Sequence, residues 1–164
     1  MNRPYTASEY KRIAEKVISR IKDVALTTDI MVGFPGESAA NFRNTVKLVK
    51  EVLPARTHIF TFSKRPGTAA YGMAQEVDVA TLKRRFYEIQ TACLGSSYLY
   101  RSRFLENTLD VLVETKRDRF SGWLCGYSGN YIRVQFKGDD SLMKRIVPVK
   151  IEDVNLIRTL GSYE

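Results

Sequence analysis

Two stretches rich in glycine and proline hold the residues of this chain best suited to chemistry, Gly33-Phe-Pro-Gly-Glu37 and Ser63-Lys-Arg-Pro-Gly-Thr68. Glycines let backbone amides come close to a ligand, and proline stiffens the turn. Glu37, Ser63 and Arg65 add polar or charged groups that can hold one. The chemistry this suggests is the binding of a small polar molecule, with no residue marked out as the catalyst. Neither stretch is a phosphate-binding Walker loop, because no Gly-Lys-Ser/Thr follows, and neither is GxGxxG. On pattern alone, a tight turn in front of a capped helix is the plainer explanation of the first stretch.

The surrounding elements decide whether the two stretches meet. Ala25 to Val32 is a short, mostly apolar run without helical spacing, as in a strand buried on both faces. Ser38 then caps a helix whose apolar residues Phe42, Val46, Val49 and Leu53 recur at helical intervals. Arg56 to Ser63 again reads as a strand. Strand, helix and strand make a βαβ unit with parallel neighbours and a right-handed crossover. Loops leaving the carboxyl ends of parallel strands form the ligand site in α/β sheets and barrels, and both stretches are such loops.

Upstream, Thr6-Ala-Ser-Glu9 is a capping box opening a helix with Tyr10, Ile13, Ala14, Val17 and Ile21 on one face. Arg3 and Tyr5 precede it in a further loop. His58, the lone histidine, reads as a packed residue on its strand. Ala69 to Glu76 is an irregular connection, after which Asp78 caps a long helix with Leu82, Phe86, Ile89 and Cys93 as its buried stripe. Gly95 to Ser97 is a candidate kink. Arg84, Arg85, Arg101 and Arg103 give this helix a basic face that suits phosphates, although a face of this kind is more often plain solvated surface.

Near Asn107 the beat changes to two residues, with Leu109, Val111 and Val113 alternating with Asp110, Leu112 and Glu114. Further strands are expected at Gly122–Cys125, Tyr131–Phe136, Ile146–Ile151 and Val154–Leu160. Five short strands read as a small closed barrel, which hides its sheet edges. Ile132, Val134 and Phe136 point one way, leaving Tyr131, Arg133 and Gln135 outward. An exposed aromatic beside an arginine suits stacking on unpaired bases, and an ordinary strand face fits the pattern equally.

Size and charge set the limits. The chain has 164 residues and a formal net charge of +8. From Asn107 onward nine Lys/Arg face eight Asp/Glu, so about +1 lies there and +7 in the first part. The basic excess therefore belongs to the α/β half. Cys93 and Cys125 are the only cysteines, far apart and matching neither zinc nor iron–sulfur spacing. No apolar run approaches a membrane span, and the N-terminus is not signal-like, so a cytoplasmic protein is expected.

Thr28-Asp-Ile-Met-Val-Gly-Phe-Pro-Gly-Glu37, followed by His58-Ile-Phe-Thr-Phe-Ser-Lys-Arg-Pro-Gly-Thr68, resembles the radical S-adenosylmethionine methylthiotransferases. Met1-Asn-Arg-Pro-Tyr-Thr6 is similar to the segment just upstream in those enzymes, and the C-terminal strands resemble their appended TRAM module, an RNA-binding barrel. The resemblance implies residues 1–106 as the C-terminal portion of a (β/α) radical barrel and residues 107–164 as an OB-like TRAM barrel. It implies S-adenosylmethionine along Gly33, Pro35, Gly36 and Glu37, with Ser63 and Arg65 of an SxRxGT pattern close by. It also implies tRNA, through its anticodon stem-loop, as the partner, for which Arg84, Arg85, Arg101, Arg103, Tyr131 and Arg133 are the candidate contacts that the pattern offers.

The family's CxxxCxxC motif and its N-terminal domain with further cysteines have no counterpart here. In the family, one [4Fe–4S] cluster generates a deoxyadenosyl radical and an auxiliary cluster supplies sulfur. This chain is therefore expected to be the C-terminal part of such an enzyme, inactive alone and in need of the missing cluster-binding part, with no metal ligands of its own. Gly126-Tyr-Ser-Gly-Asn-Tyr131 looks most like the branch that methylthiolates threonylcarbamoyladenosine next to the anticodon. Thr61 and Phe62 depart from the usual Pro and Tyr. Two alternatives remain: a stand-alone tRNA-binding module without catalysis, and the branch that modifies an aspartate of a ribosomal protein.

Overall fold

The computed structural model describes residues 3–74 and 76–163. Met1 and Asn2 of the opening segment, Gln75 of the Ala69–Glu76 connection, and the terminal Glu164 lie outside the described residues. The elements run α1 (Ala7–Arg20), β1 (Thr27–Val32), α2 (Ala39–Val52), β2 (Arg56–Thr61), α3 (Val79–Ser102), β3 (Thr108–Val113), β4 (Leu124–Ser128), β5 (Arg133–Phe136), β6 (Ile146–Val154) and β7 (Thr159–Ser162). The chain divides into two compact units, with the division between Ser96 and Ser97, inside α3. Among the described residues no helix is long and apolar enough to cross a membrane.

The first unit begins at the expected capping box. The Thr6 amide donates to the Glu9 carboxylate at 2.7 Å, and the Glu9 amide donates to the Thr6 hydroxyl at 3.2 Å. Two amides that a helix start leaves without partners are thereby satisfied. β1 and β2 pair in parallel, from Thr27 opposite Arg56 to Val32 opposite Thr61, with α2 as the crossover. The Ser38 hydroxyl caps α2 by accepting from the Asn41 amide at 3.1 Å. Ile30 and Val32 from β1, Phe42, Val46 and Val49 from α2, and Ile89 and Cys93 from α3 form the core.

Strand alternation explains two departures from expectation. Only one face of β1 is covered: Ile30 and Val32 are buried, whereas Asp29 is exposed. His58 stands opposite Asp29 in the register and is exposed with it, its side chain 77% accessible and its Nδ1 3.9 Å from the Asp29 carboxylate. It is not a packed strand residue, because its position alternates with those facing the helices.

Other departures are local. Leu53 does not extend the apolar stripe of α2, which ends on buried Val52. Leu53 leaves the helix at φ 51° and is exposed, and Pro54 then prevents the helix from continuing. On α1 only Ala14 is buried, and Ile13 and Ile21 are exposed. α3 runs unbroken through Gly95 and Ser97, and the buried Ser96 donates its hydroxyl to the Pro54 carbonyl at 2.7 Å.

The second unit contains a closed five-stranded barrel in the order β3-β4-β5-β7-β6. Pairing is antiparallel except between β5 and β7, so the barrel is mixed, consistent with a small OB-like domain. Val111, Val113, Leu124, Ile132, Val134, Phe136, Val149 and Ile151 are all at most 2% exposed and fill it. Gly126 of β4 sits where a β-carbon would collide with the Leu112 carbonyl oxygen of β3. Within this unit Arg101 ties the end of α3 to the β6–β7 turn. Its guanidinium donates to the carbonyls of Asn155, Leu156 and Arg158 and to the Thr159 hydroxyl, at 2.8–3.0 Å.

Candidate ligand-binding rim and nucleic-acid interface

The parallel register of β1 and β2 places Gly33–Glu37 and Ser63–Thr68 beyond the same ends of their strands. Phe34 and Phe62 join the two loops, edge to face with ring centroids 5.3 Å apart. The Phe62 amide also donates to the Val32 carbonyl at 2.8 Å, which extends the ladder past β2.

Inside the first loop, most polar groups are already engaged. Glu37 Oε2 accepts from the Gly33 amide at 3.0 Å and from Arg85 NH1 at 2.7 Å. The same NH1 donates to the Glu37 carbonyl at 2.9 Å, and the guanidinium lies 5.5 Å from the Phe42 ring centre. Gly33 has φ +80°, and a β-carbon there would strike the Leu82 side chain. Its small size thus serves the approach of α3 rather than an open cradle. Pro35 is buried and Gly36 exposed at φ +81°. Ser63 and Arg65 are exposed, and their side chains make no hydrogen bond among the described residues.

These positions divide the expected cofactor set. Ser63, Arg65 and the Gly36 backbone are open to a polar ligand, whereas the Glu37 carboxylate closes its own turn. An iron–sulfur cluster fits less well. Among the described residues no three His, Cys, Asp or Glu side chains gather in a group suited to a metal ion. Cys93 and Cys125 lie buried in different units, and burial raises both thiols above their ordinary pKa.

The expected phosphate-binding arginines also separate. Arg84 is exposed, as that role requires. Arg85 is not on a basic surface: its side chain is 8% exposed and committed to Glu37. It stands four residues before Ile89, on the stripe that Cys93 and Ser96 continue, and that spacing was the available signal. Arg101 is occupied by backbone carbonyls, and burial lowers its pKa. Arg103 is exposed and stacks over the Tyr100 ring at 5.6 Å.

On the barrel, Tyr131 is 72% exposed in the β4–β5 turn at φ +61°. Arg133 and Gln135 face away from the barrel interior, but Gln135 is buried because the β3–β4 loop covers it. Asp118 holds that loop down. Its Oδ2 accepts from Gln135 Nε2 at 3.0 Å and from Arg133 NH2 at 3.4 Å. Its Oδ1 accepts from the amides of Phe120 and Ser121 and from the Ser121 hydroxyl, at 3.0–3.1 Å. The Ser121 and Phe120 amides are chiefly what lower the Asp118 pKa to about 2. Sequence reading missed Asp118, although Asp-x-Phe-Ser carries the side-chain turn signature.

No protein-family model matches the chain. It is 39% identical over 164 residues, 99% of its length, to the tRNA-2-methylthio-N(6)-dimethylallyladenosine synthase of Desulfitobacterium hafniense, of which it covers 36%. A protein of the same name from Pelotomaculum thermopropionicum is 35% identical over 98% of this chain and 36% of its own length. The threonylcarbamoyladenosine tRNA methylthiotransferase of Thermotoga maritima is 38% identical over 85% of this chain and 32% of its own. The chain's homologues are thus tRNA methylthiotransferases, and it spans about a third of their length.

Proposed function

We propose that this chain serves tRNA methylthiolation as the C-terminal part of a radical S-adenosylmethionine methylthiotransferase, with its barrel as the tRNA-binding module. The observation that carries this reading is the 39% identity over 99% of the chain with a tRNA-2-methylthio-N(6)-dimethylallyladenosine synthase. The modified base is an adenosine beside the anticodon. Dimethylallyladenosine is supported by the names of most of the relatives, and threonylcarbamoyladenosine by the Gly126–Tyr131 turn and the Thermotoga maritima relative.

S-adenosylmethionine, bound with clusters held elsewhere in the enzyme, supplies the radical and the methyl group. From this chain, Ser63, Arg65 and the Gly36 backbone would meet it. Arg85 and Glu37 keep the first loop in shape, and Phe34 against Phe62 fixes the spacing between the loops. Tyr131 and Arg133 would contact the RNA.

The test is a chimera in which this chain replaces the segment it matches in the Desulfitobacterium hafniense synthase. After anaerobic reconstitution with iron and sulfide, mass spectrometry of tRNA nucleosides is expected to find a methylthiolated adenosine and to identify which one. No product from a chimera that folds and holds its clusters would overturn the proposal. Reconstituted alone, the chain is expected to retain no stoichiometric four-iron cluster.

A further inference from the structure

We infer that the Lys116–Trp123 loop is a contact for single-stranded RNA, with Phe120 as a stacking platform for a base and Arg119 as its phosphate partner. This rests on the reading of the barrel as a tRNA-binding module and identifies a part of it that lies off the strand face.

Phe120 is 73% exposed, an unfavourable place for a phenyl ring. The Arg119 guanidinium lies 4.4 Å from its ring centre, so an aromatic face and a cation are presented together. Nearby, Lys137 lies 5.3 Å from the Trp123 ring centre, a second aromatic–cation pair at the foot of the loop. Alternation of this kind suits a strand whose bases stack and whose phosphates need positive charge.

The loop's charges reinforce that choice of partner. Asp118, the acidic residue between Lys116 and Arg119, turns its carboxylate to Arg133, Gln135 and the loop's own amides. What remains outward is cationic. Arg117 is used internally, donating to Asp140 and to the carbonyls of Gly122 and Gly138 at 2.8–2.9 Å. The loop is therefore fixed before any ligand arrives. Stacking on Phe120 costs little of the ordering entropy that a mobile loop would lose.

Fluorescence anisotropy of the full chain with a fluorescein-labelled tRNA anticodon stem-loop tests the inference. Phe120→Ala is expected to weaken binding roughly five- to a hundredfold with the salt dependence unchanged, and Phe120→Trp to keep it. Arg119→Ala is expected to reduce the slope of log affinity against log salt by about one. Circular dichroism melting of each variant checks the fold.

Equal affinity of Phe120→Ala and the parent would overturn the inference while leaving the barrel's RNA binding intact. A parent without measurable RNA affinity would overturn both. Phe120→Ala that abolishes self-association in sedimentation and leaves RNA affinity unchanged would assign the ring to a protein contact and also overturn it.

Discussion

Arg85 grips Glu37 twice across 48 positions of sequence, once at the carboxylate and once at the main-chain carbonyl. Both side chains are at most 10% exposed, so each charge relies on the other and on the Gly33 amide. Removing one partner strands the other in a poorly solvated site.

Arg85→Met is therefore expected to cost about 3–5 kcal/mol. The double variant Glu37→Gln/Arg85→Met should cost clearly less than the sum of the single changes, because the substituted amide keeps an acceptor for the Gly33 N–H and carries no charge. Urea unfolding followed by circular dichroism measures both. Additive effects would show that the pair contributes nothing beyond packing.

The Asp118 carboxyl gives the barrel a sensitivity to acid. Its folded pKa of about 2 lies below the ordinary aspartate value of 3.8, so its contribution is present in full above about pH 4 and is lost as pH falls toward 2. Asp118→Asn should lower the melting temperature at pH 7, and the gap to the parent should narrow in this acid window. Asp139, also lowered, chiefly by the Ser141 amide, is common to parent and variant, so the comparison between them isolates Asp118. A gap independent of pH would refute the assignment.

At Gly126 a methyl group has no room, because the Leu112 carbonyl of the facing strand occupies the space. Gly126→Ala is expected to destabilise the barrel by about 1–3 kcal/mol. At Gly129, in the adjoining turn, a β-carbon would meet nothing within 4 Å, so Gly129→Ala should leave the melting temperature almost unchanged. Thermal melts of the two variants make the comparison.

Short-range signals carried much of the fold. The Thr6–Glu9 box, the Ser38 cap, the βαβ order and the two-residue beat from Leu109 all follow from residues a few positions apart. Long-range pairing was another matter. Nothing near Arg85 announces Glu37, and nothing near Asp118 announces Arg133 and Gln135. A charged residue reads as surface until its partner is known, which is why Arg101 reads as solvent-facing, and Arg85 with it despite its place on the stripe of Ile89 and Cys93. His58 misleads in the opposite sense: apolar neighbours on a strand imply burial only when both faces are covered.

Two strands and five strands also age differently in heavy water. A ring of five has no outer rung, whereas in the β1–β2 pair about half the main-chain amides face away from the partner strand. Deuterium should enter those alternate positions first and reach the ladder amides of β3 to β7 last.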